Sequence, residues 1–187
     1  MINDAAFIAD AKVTESVPDS IVFTSAEISA MKAILAVVEL ADQLKKKVFY
    51  GREVKEDIIR SNTIEAMSQL FVSALPSDED FIITDKEHIR ICHSILGMVT
   101  ESGELIKVFM DIVLNGEYDR INFLEELGDA QWYTGTALDA TNATYQTLFD
   151  LVIAKLKKRY PNGKFESERA IHRDVDEEYR VMTDHST

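Results

Sequence analysis

The sequence predicts an all-α protein. Only 7 glycines and 3 prolines occur in 187 residues, and so few turn residues favour long helices over many short strands. In several stretches apolar residues recur at steps of three, four or seven, which is the spacing of one helix face. We therefore expect a helical bundle in which residues 1–84 form an N-terminal arm and helices that pack on a core of residues 85–187, as one compact domain.

The first part of the chain carries two helix predictions. Residues 1–23 mix polar and β-branched side chains around a proline, and we expect a loosely attached arm there. Thr24 and Glu27 have the spacing of a capping box, which predicts a helix that ends at the basic residues 45–47. A second helix is predicted over about 53–75. It is expected to end there because the proline that follows disfavours a helical residue before it.

Two long helices are predicted next. Thr84 and Glu87 repeat the capping-box spacing and predict a helix over about 85–114, with Asn-Gly at 115–116 as its end. The following helix is predicted to begin near Asp119. Because the connection is so short, these two helices are expected to be antiparallel neighbours.

The remainder of the chain is also predicted to be helical. Thr-Asn at 141–142 indicates a break before a further helix, and Pro-Asn-Gly at 161–163 indicates the end of that helix. From residue 165 onward we expect a short amphipathic helix and then frayed residues.

Charge and cysteine content narrow the possible functions. There are 33 acidic and 20 basic side chains, a net charge of -13, which makes general binding to nucleic acid polymers unfavourable. Cys92 is the only cysteine, so no internal disulfide can form, as suits a reducing compartment. With no signal peptide pattern and no run of about 20 apolar residues, we expect a soluble, cytoplasmic protein that does not bind membranes.

Four carboxylates form two pairs of the same spacing. Glu101 and Glu104 lie three residues apart on one predicted helix, and Glu126 and Asp129 repeat the step on the next. A three-residue step places both side chains on one helix face. Facing pairs would repel each other unless a cation such as Mg²⁺, which prefers oxygen ligands, lay between them. In so acidic a chain the acids could equally be solvated, and spacing alone leaves both interpretations open.

Small residues precede the first pair on the same helix face. Ser94 and Gly97 are expected to leave room for a ligand above Glu101. On the next helix, polar side chains form a stripe beside apolar ones: Asn122, Glu126, Asp129 and Tyr133.

Three stretches carry a family resemblance. Residues 93–105 (HSILGMVTESGEL) and 122–133 (NFLEELGDAQWY) are similar to the E-x-x-E … E-x-x-D motif of the MazG-type all-α nucleoside triphosphate pyrophosphohydrolases. Residues 155–161 (KLKKRYP) resemble the K-L-x-x-R-Y-P segment of short phage and bacterial members. The resemblance covers roughly residues 86–175. Val152 departs from it, since short members often have Asn at that position.

The resemblance implies Mg²⁺-dependent hydrolysis (Mn²⁺ is possible) of a nucleoside triphosphate to monophosphate and pyrophosphate. It implies that one quartet holds the metal and does the catalysis: Glu101, Glu104, Glu126 and Asp129. It further implies candidate substrate contacts: Lys155, Arg159, Tyr160, Tyr133 and His93. A homodimer or homotetramer is expected, in the host cytoplasm if the chain is phage-encoded.

Other interpretations remain open at this point. Lys155 and Arg159 could simply complement a helix dipole, while Tyr133, His93 and Trp132 could be packing residues, which is the interpretation we favour for Trp132. A ferritin-type di-iron bundle would need Glu-x-x-His pairs, which the chain lacks. The substrate could instead be an alarmone or phosphoribosyl-ATP, or the chain could be a non-catalytic acidic helical oligomerisation module.

Overall fold

The computed structural model describes residues 4–51, 53, 60–61, 63–65, 67–68 and 80–185. The chain is mainly helical, as predicted. The helices are α1 (Asp4–Thr14), α2 (Ser25–Tyr50), α3 (Lys86–Asn115), α4 (Arg120–Ala140), α5 (Tyr145–Arg159), α6 (Ser167–Ile171) and α7 (Val175–His185).

Two short strands were not predicted from the sequence. β1 (Ile21–Thr24) and β2 (Asp80–Ile83) pair in a two-stranded sheet. Both are rich in branched or aromatic residues, which favour extended backbone. Within the described part of the chain, no helix has the length and apolar character needed to cross a membrane.

The chain divides into two compact units. The first consists of Met1–Ile21 and Ile83–Phe149, and the second of Val22–Ile82 and Asp150–Thr187. The division falls inside α5, so that residues 145–149 belong to the first unit and residues 150–159 to the second.

The first unit is built on an antiparallel pair, α3 and α4, as predicted. As residue numbers rise along α3, the numbers of their contact partners on α4 fall. Ser94 hydrogen-bonds Thr136, and the Thr134 hydroxyl lies 3.9 Å from the sulfur of Met98. Gly116 ends α3 in the left-handed conformation, with φ 75°, which glycine adopts without steric cost.

One of the two N-terminal caps of α3 and α4 differs from the prediction. The expected capping box of Thr84 and Glu87 is wrong, because Asp85 is the residue before α3 and its carboxylate accepts a hydrogen bond from the His88 amide at 2.9 Å. Asp119 caps α4 as expected and accepts from the amide of Ile121 at 2.8 Å. An aspartate at either site satisfies amides that have no partner within the helix.

The N-terminal residues correct another prediction, since residues 4–14 are a helix that packs on α4. Ala11 is buried there. A Cβ added to Gly135 would lie 3.7 Å from the Ala11 Cβ and 3.4 Å from the Phe7 ring. Small residues thus allow α1 and α4 to approach closely.

In the second unit, the helix predicted after Thr24 is α2. The predicted capping box is confirmed: the Thr24 amide donates to Glu27 Oε2 at 2.7 Å, and the Glu27 amide donates to Thr24 Oγ1 at 3.3 Å. α2 contacts α6. Most of the helix predicted over 53–75 lies outside the described residues, and those described within it from residue 60 onward are helical.

The C-terminal part of this unit is more ordered than predicted. Instead of frayed residues after one short helix, both α6 and α7 are present. Glu178 on α7 is buried and receives salt bridges from Arg159 and Arg173, each at 2.7 Å. These bridges hold the pKa of Glu178 at about 2, because hydrogen bonds from the two guanidinium groups outweigh the effect of burial.

Candidate metal centre

Three of the four predicted acids come together in the first unit. Glu101 on α3 and the pair Glu126 and Asp129 on α4 each present a carboxylate oxygen, and these oxygens lie within 4.8 Å of one another. The antiparallel register explains this convergence, because the three-residue step within α4 places its two acids on the face directed at α3.

Glu126 is the buried member of the group, with 9% of its surface exposed. Its burial raises its pKa above the usual value of 4.5, as do a hydrogen bond with the Glu101 carboxyl and the negative charge of Glu104. An anion at this position is therefore disfavoured until a cation compensates it.

Glu104 stands apart from the three converging acids. Lys107, one turn further along α3, donates to both of its oxygens, at 2.7 and 2.6 Å. Lys107 therefore screens this carboxylate.

An open cleft of about 280 Å³ lies beside the acids. Glu101, Asp129, Trp132 and Tyr133 line it. Tyr133 was a predicted site residue, whereas Trp132 was expected to be a packing residue away from the carboxylates. The missed signal was its spacing, since Trp132 follows Asp129 by the same three-residue step that relates the acids.

The small residues of α3 do not leave room for a ligand. A Cβ on Gly97 would collide with the ring of Tyr133, so the ring occupies the space above that glycine. Ser94 is buried and its hydroxyl lies 2.8 Å from the Thr136 hydroxyl. Their physical role is to allow α4 to lie close against α3, and the ligand space lies beside the acids instead.

His93 packs against the aromatic residues of the cleft. Its ring centroid lies 6.2 Å from that of Trp132 and 5.7 Å from that of Tyr133, both in edge-on arrangements. It is not one of the cleft-lining residues. A substrate contact from His93 stays a prediction.

The other predicted substrate contacts belong to the second unit, as residues of α5 or of the turn after it. Arg159 donates to Glu178 at 2.8 and 2.7 Å. The Tyr160 ring lies 5.8 Å from that of Phe165, and Lys155 is half-buried. Their contact with phosphate stays a prediction.

The donor set of the group matches a hard divalent cation. Carboxylate oxygens are the ligands that Mg²⁺ and Mn²⁺ prefer. The converging side chains, Glu101, Glu126 and Asp129, are all carboxylates. The burial of Glu126 adds the electrostatic condition under which a bound cation stabilises the charged form.

Comparison of the chain with known protein families, curated proteins and solved structures finds no match. The resemblance to MazG-type enzymes therefore rests on the motif residues alone.

Proposed function

We propose that the chain hydrolyses nucleoside triphosphates to monophosphate and pyrophosphate with Mg²⁺ held by Glu101, Glu126 and Asp129. The observation that carries this proposal is the convergence of three carboxylate oxygens within 4.8 Å around a buried glutamate. In the part of the chain that the structure describes, no lysine or arginine forms a salt bridge to these three acids.

The positions of the acidic side chains indicate which of them would hold the cation. Glu101 and Asp129 line the cleft and would hold the cation together with the buried Glu126. When bound, the ion neutralises phosphate oxygens and lowers the pKa of an attacking water. Glu104 contributes negative charge to the group while Lys107 limits that charge.

The acidic balance of the chain supports a cation-dependent site. A protein with a formal charge of -13 repels a triphosphate, so the substrate needs positive charge where it binds. Metal held by the acid group provides that charge at the cleft. Lys155, Arg159 and Tyr160 remain the proposed additional phosphate contacts, with Arg159 already paired to Glu178.

We also propose that the protein is a homodimer or homotetramer. The support is a set of large apolar side chains that stay exposed on α3 and α4: Ile106, Phe109, Val113, Leu114, Ile121 and Leu124. Apolar surface of this kind is typical of contact sites. Sedimentation equilibrium should give a mass two or four times the 21.1 kDa of the chain, and a monomer mass at micromolar concentration would exclude the oligomer.

The function is tested by measuring Mg²⁺-dependent pyrophosphate release across a panel of canonical and modified nucleotides, together with an alarmone and phosphoribosyl-ATP. We expect release from nucleoside triphosphates that requires the metal. Preferential turnover of the alarmone or of phosphoribosyl-ATP would redirect the proposal to that substrate.

Variants of the acids test whether hydrolysis depends on them. Glu104→Gln and Asp129→Asn should remain folded by circular dichroism and lose activity by about a hundredfold, the upper end of the usual effect of changing residues around a metal site. The matched control is Glu125→Gln, which removes an exposed acid of α4 outside the converging group and should keep activity close to that of the wild type. Unchanged rates in Asp129→Asn would remove the cluster from the mechanism.

A further inference from the structure

Trp132 is the only tryptophan of the chain, and it lies in the wall of the cleft beside Asp129. The two residues are one turn apart on α4, a rise of about 4.5 Å along the helix. The cleft thus has an acidic end and an aromatic end on successive turns. A nucleotide has the same two features, a charged phosphate end and a flat aromatic base.

The indole is held by a chain of hydrogen bonds from α1. Trp132 Nε1 donates to Thr14 Oγ1 at 3.0 Å, and Thr14 Oγ1 donates to the carbonyl of Ala11 at 3.1 Å. Because the hydroxyl hydrogen of Thr14 is directed at Ala11, its oxygen is free to accept from the indole. The last turn of α1 therefore sets the orientation of the Trp132 ring.

The rings of Tyr133 and His93 do not stack on this indole. Tyr133 meets it at 88° with centroids 4.8 Å apart, and His93 meets it at 70° with centroids 6.2 Å apart. Both are edge-on contacts, which support a ring from the side. Neither takes the parallel position that a nucleobase would occupy.

We propose that Trp132 stacks on the base of the bound nucleotide and that Thr14 is the positioning residue that holds the indole for this contact. The inference rests on the proposed function and adds a specificity to it: the site selects polyphosphates that carry an aromatic base over base-free polyphosphates. Stacking on an aromatic side chain accepts any base, so this contact favours nucleotides as a class.

Binding is tested by the emission of Trp132, which reports on the site directly because the chain has no other tryptophan. The probes are αβ-methylene nucleoside triphosphates, which cannot be cleaved between the α and β phosphates, and inorganic tripolyphosphate, each with Mg²⁺. We expect a saturable change in emission with the nucleotide analogues and none with tripolyphosphate.

Variants test the two roles separately. Trp132→Leu should raise KM for nucleoside triphosphates about tenfold with kcat little changed, and Trp132→Phe should restore most of the loss because it keeps a flat ring. Thr14→Val should raise KM about threefold through loss of one neutral hydrogen bond, whereas Thr14→Ser should keep the wild-type KM. The melting temperatures of all four variants should be measured to check that each variant is folded.

The outcomes distinguish this inference from the proposed function. Nucleotide hydrolysis with unchanged Trp132 emission and with a wild-type KM in Trp132→Leu would overturn the stacking role and leave hydrolysis in place. A saturable emission change without turnover would remove hydrolysis and keep the base contact. If the protein neither hydrolyses nucleotides nor responds to their analogues, both proposals are wrong.

Discussion

Two groups of acids lie on or beside α3 and α4, and they differ in the charges that neutralise them. Near the start of α3, Arg90 lies between Glu15 and Asp139, with Arg90–oxygen distances of 2.6 and 2.7 Å. Lys12 contributes a further salt bridge to Asp139 at 3.0 Å. We call this set of four the Arg90 cluster.

About three turns further along α3 lie Glu101, Glu126 and Asp129, whose oxygens converge without a salt bridge from lysine or arginine among the described residues. The pKa shifts of the two groups have opposite directions. Burial raises the pKa of Glu126, whereas in Asp139 burial also acts to raise the pKa but is outweighed by hydrogen bonds from Lys12 and Arg90, which hold it below 3.8.

The difference shows in which group the negative charges are paired with cations of the same chain. Folding places acids together in both regions, and the Arg90 cluster contains its own cations. Among the described residues the converging acids have no salt bridge to lysine or arginine, which is the physical basis for proposing a metal there.

Arg90→Met should change the stability of the protein more than any other treatment described below. The change leaves Glu15, whose side chain is 2% exposed, without its cation, and the free energy of unfolding should fall by about 3 kcal/mol. The matched control is Lys107→Met, which removes the cation from the more exposed Glu104 and should cost less than about 1 kcal/mol. Urea denaturation measures both. Equal losses would mean that the two regions do not differ as described.

An intermediate effect is expected from Mg²⁺ without nucleotide. At a concentration about 100 times its Kd, the ion should stabilise the wild type by about 2.7 kcal/mol, because it binds only where folding has brought the acids together. Thermal unfolding with and without Mg²⁺ measures this as a rise in Tm. Glu126→Gln should lose the rise and Arg90→Met should keep it. A wild-type Tm that does not respond to Mg²⁺ would contradict a metal site formed by the protein alone.

The smallest effect is the pH dependence of stability in the metal-free protein. The pKa of Glu126 is higher in the folded than in the unfolded state because of its burial, so its stabilising contribution is present below about pH 4.5 and is lost as pH rises through the folded pKa. The pKa of Asp139 is lower when folded because of its bonds to Lys12 and Arg90, so its contribution is present above about pH 3.8 and is lost as pH falls through the folded pKa.

Urea unfolding in EDTA measures this contrast between pH 3 and pH 7, a window of about four units that spans both ordinary carboxyl pKa values. Relative to the wild type, Glu126→Gln should become more stable as pH rises, whereas the destabilisation in Asp139→Asn should shrink at the acidic end. Parallel pH dependence of the two variants would contradict the opposite shifts.

Much of the fold followed from local sequence patterns. The prediction of a helix over 85–114 matches Lys86–Asn115, because its apolar spacing and its Asn-Gly end depend only on neighbouring residues. α1 was missed because residues 4–14 have little apolar periodicity of their own. That helix is stabilised by contacts such as Ala11 with Gly135, which lie far apart in the sequence.

The residues of the candidate site could be predicted from the sequence, but which of their side chains converge could not. The spacing of the acids identified the quartet, yet it could not separate the three converging carboxylates from Glu104, because that depends on side-chain directions and on Lys107. The small size of Gly97 was visible in the sequence, whereas the presence of the Tyr133 ring above it required the packing of α3 on α4.

Patterns of residues only a few positions apart were enough to predict α2, α3, α4 and α5 and the two acidic pairs. Tertiary packing determines that Glu101 meets Glu126 and Asp129, and that Trp132 lies in their cleft with its indole held by Thr14. The physical reason is that these contacts join residues distant in the chain, and their geometry arises only when α1, α3 and α4 pack together.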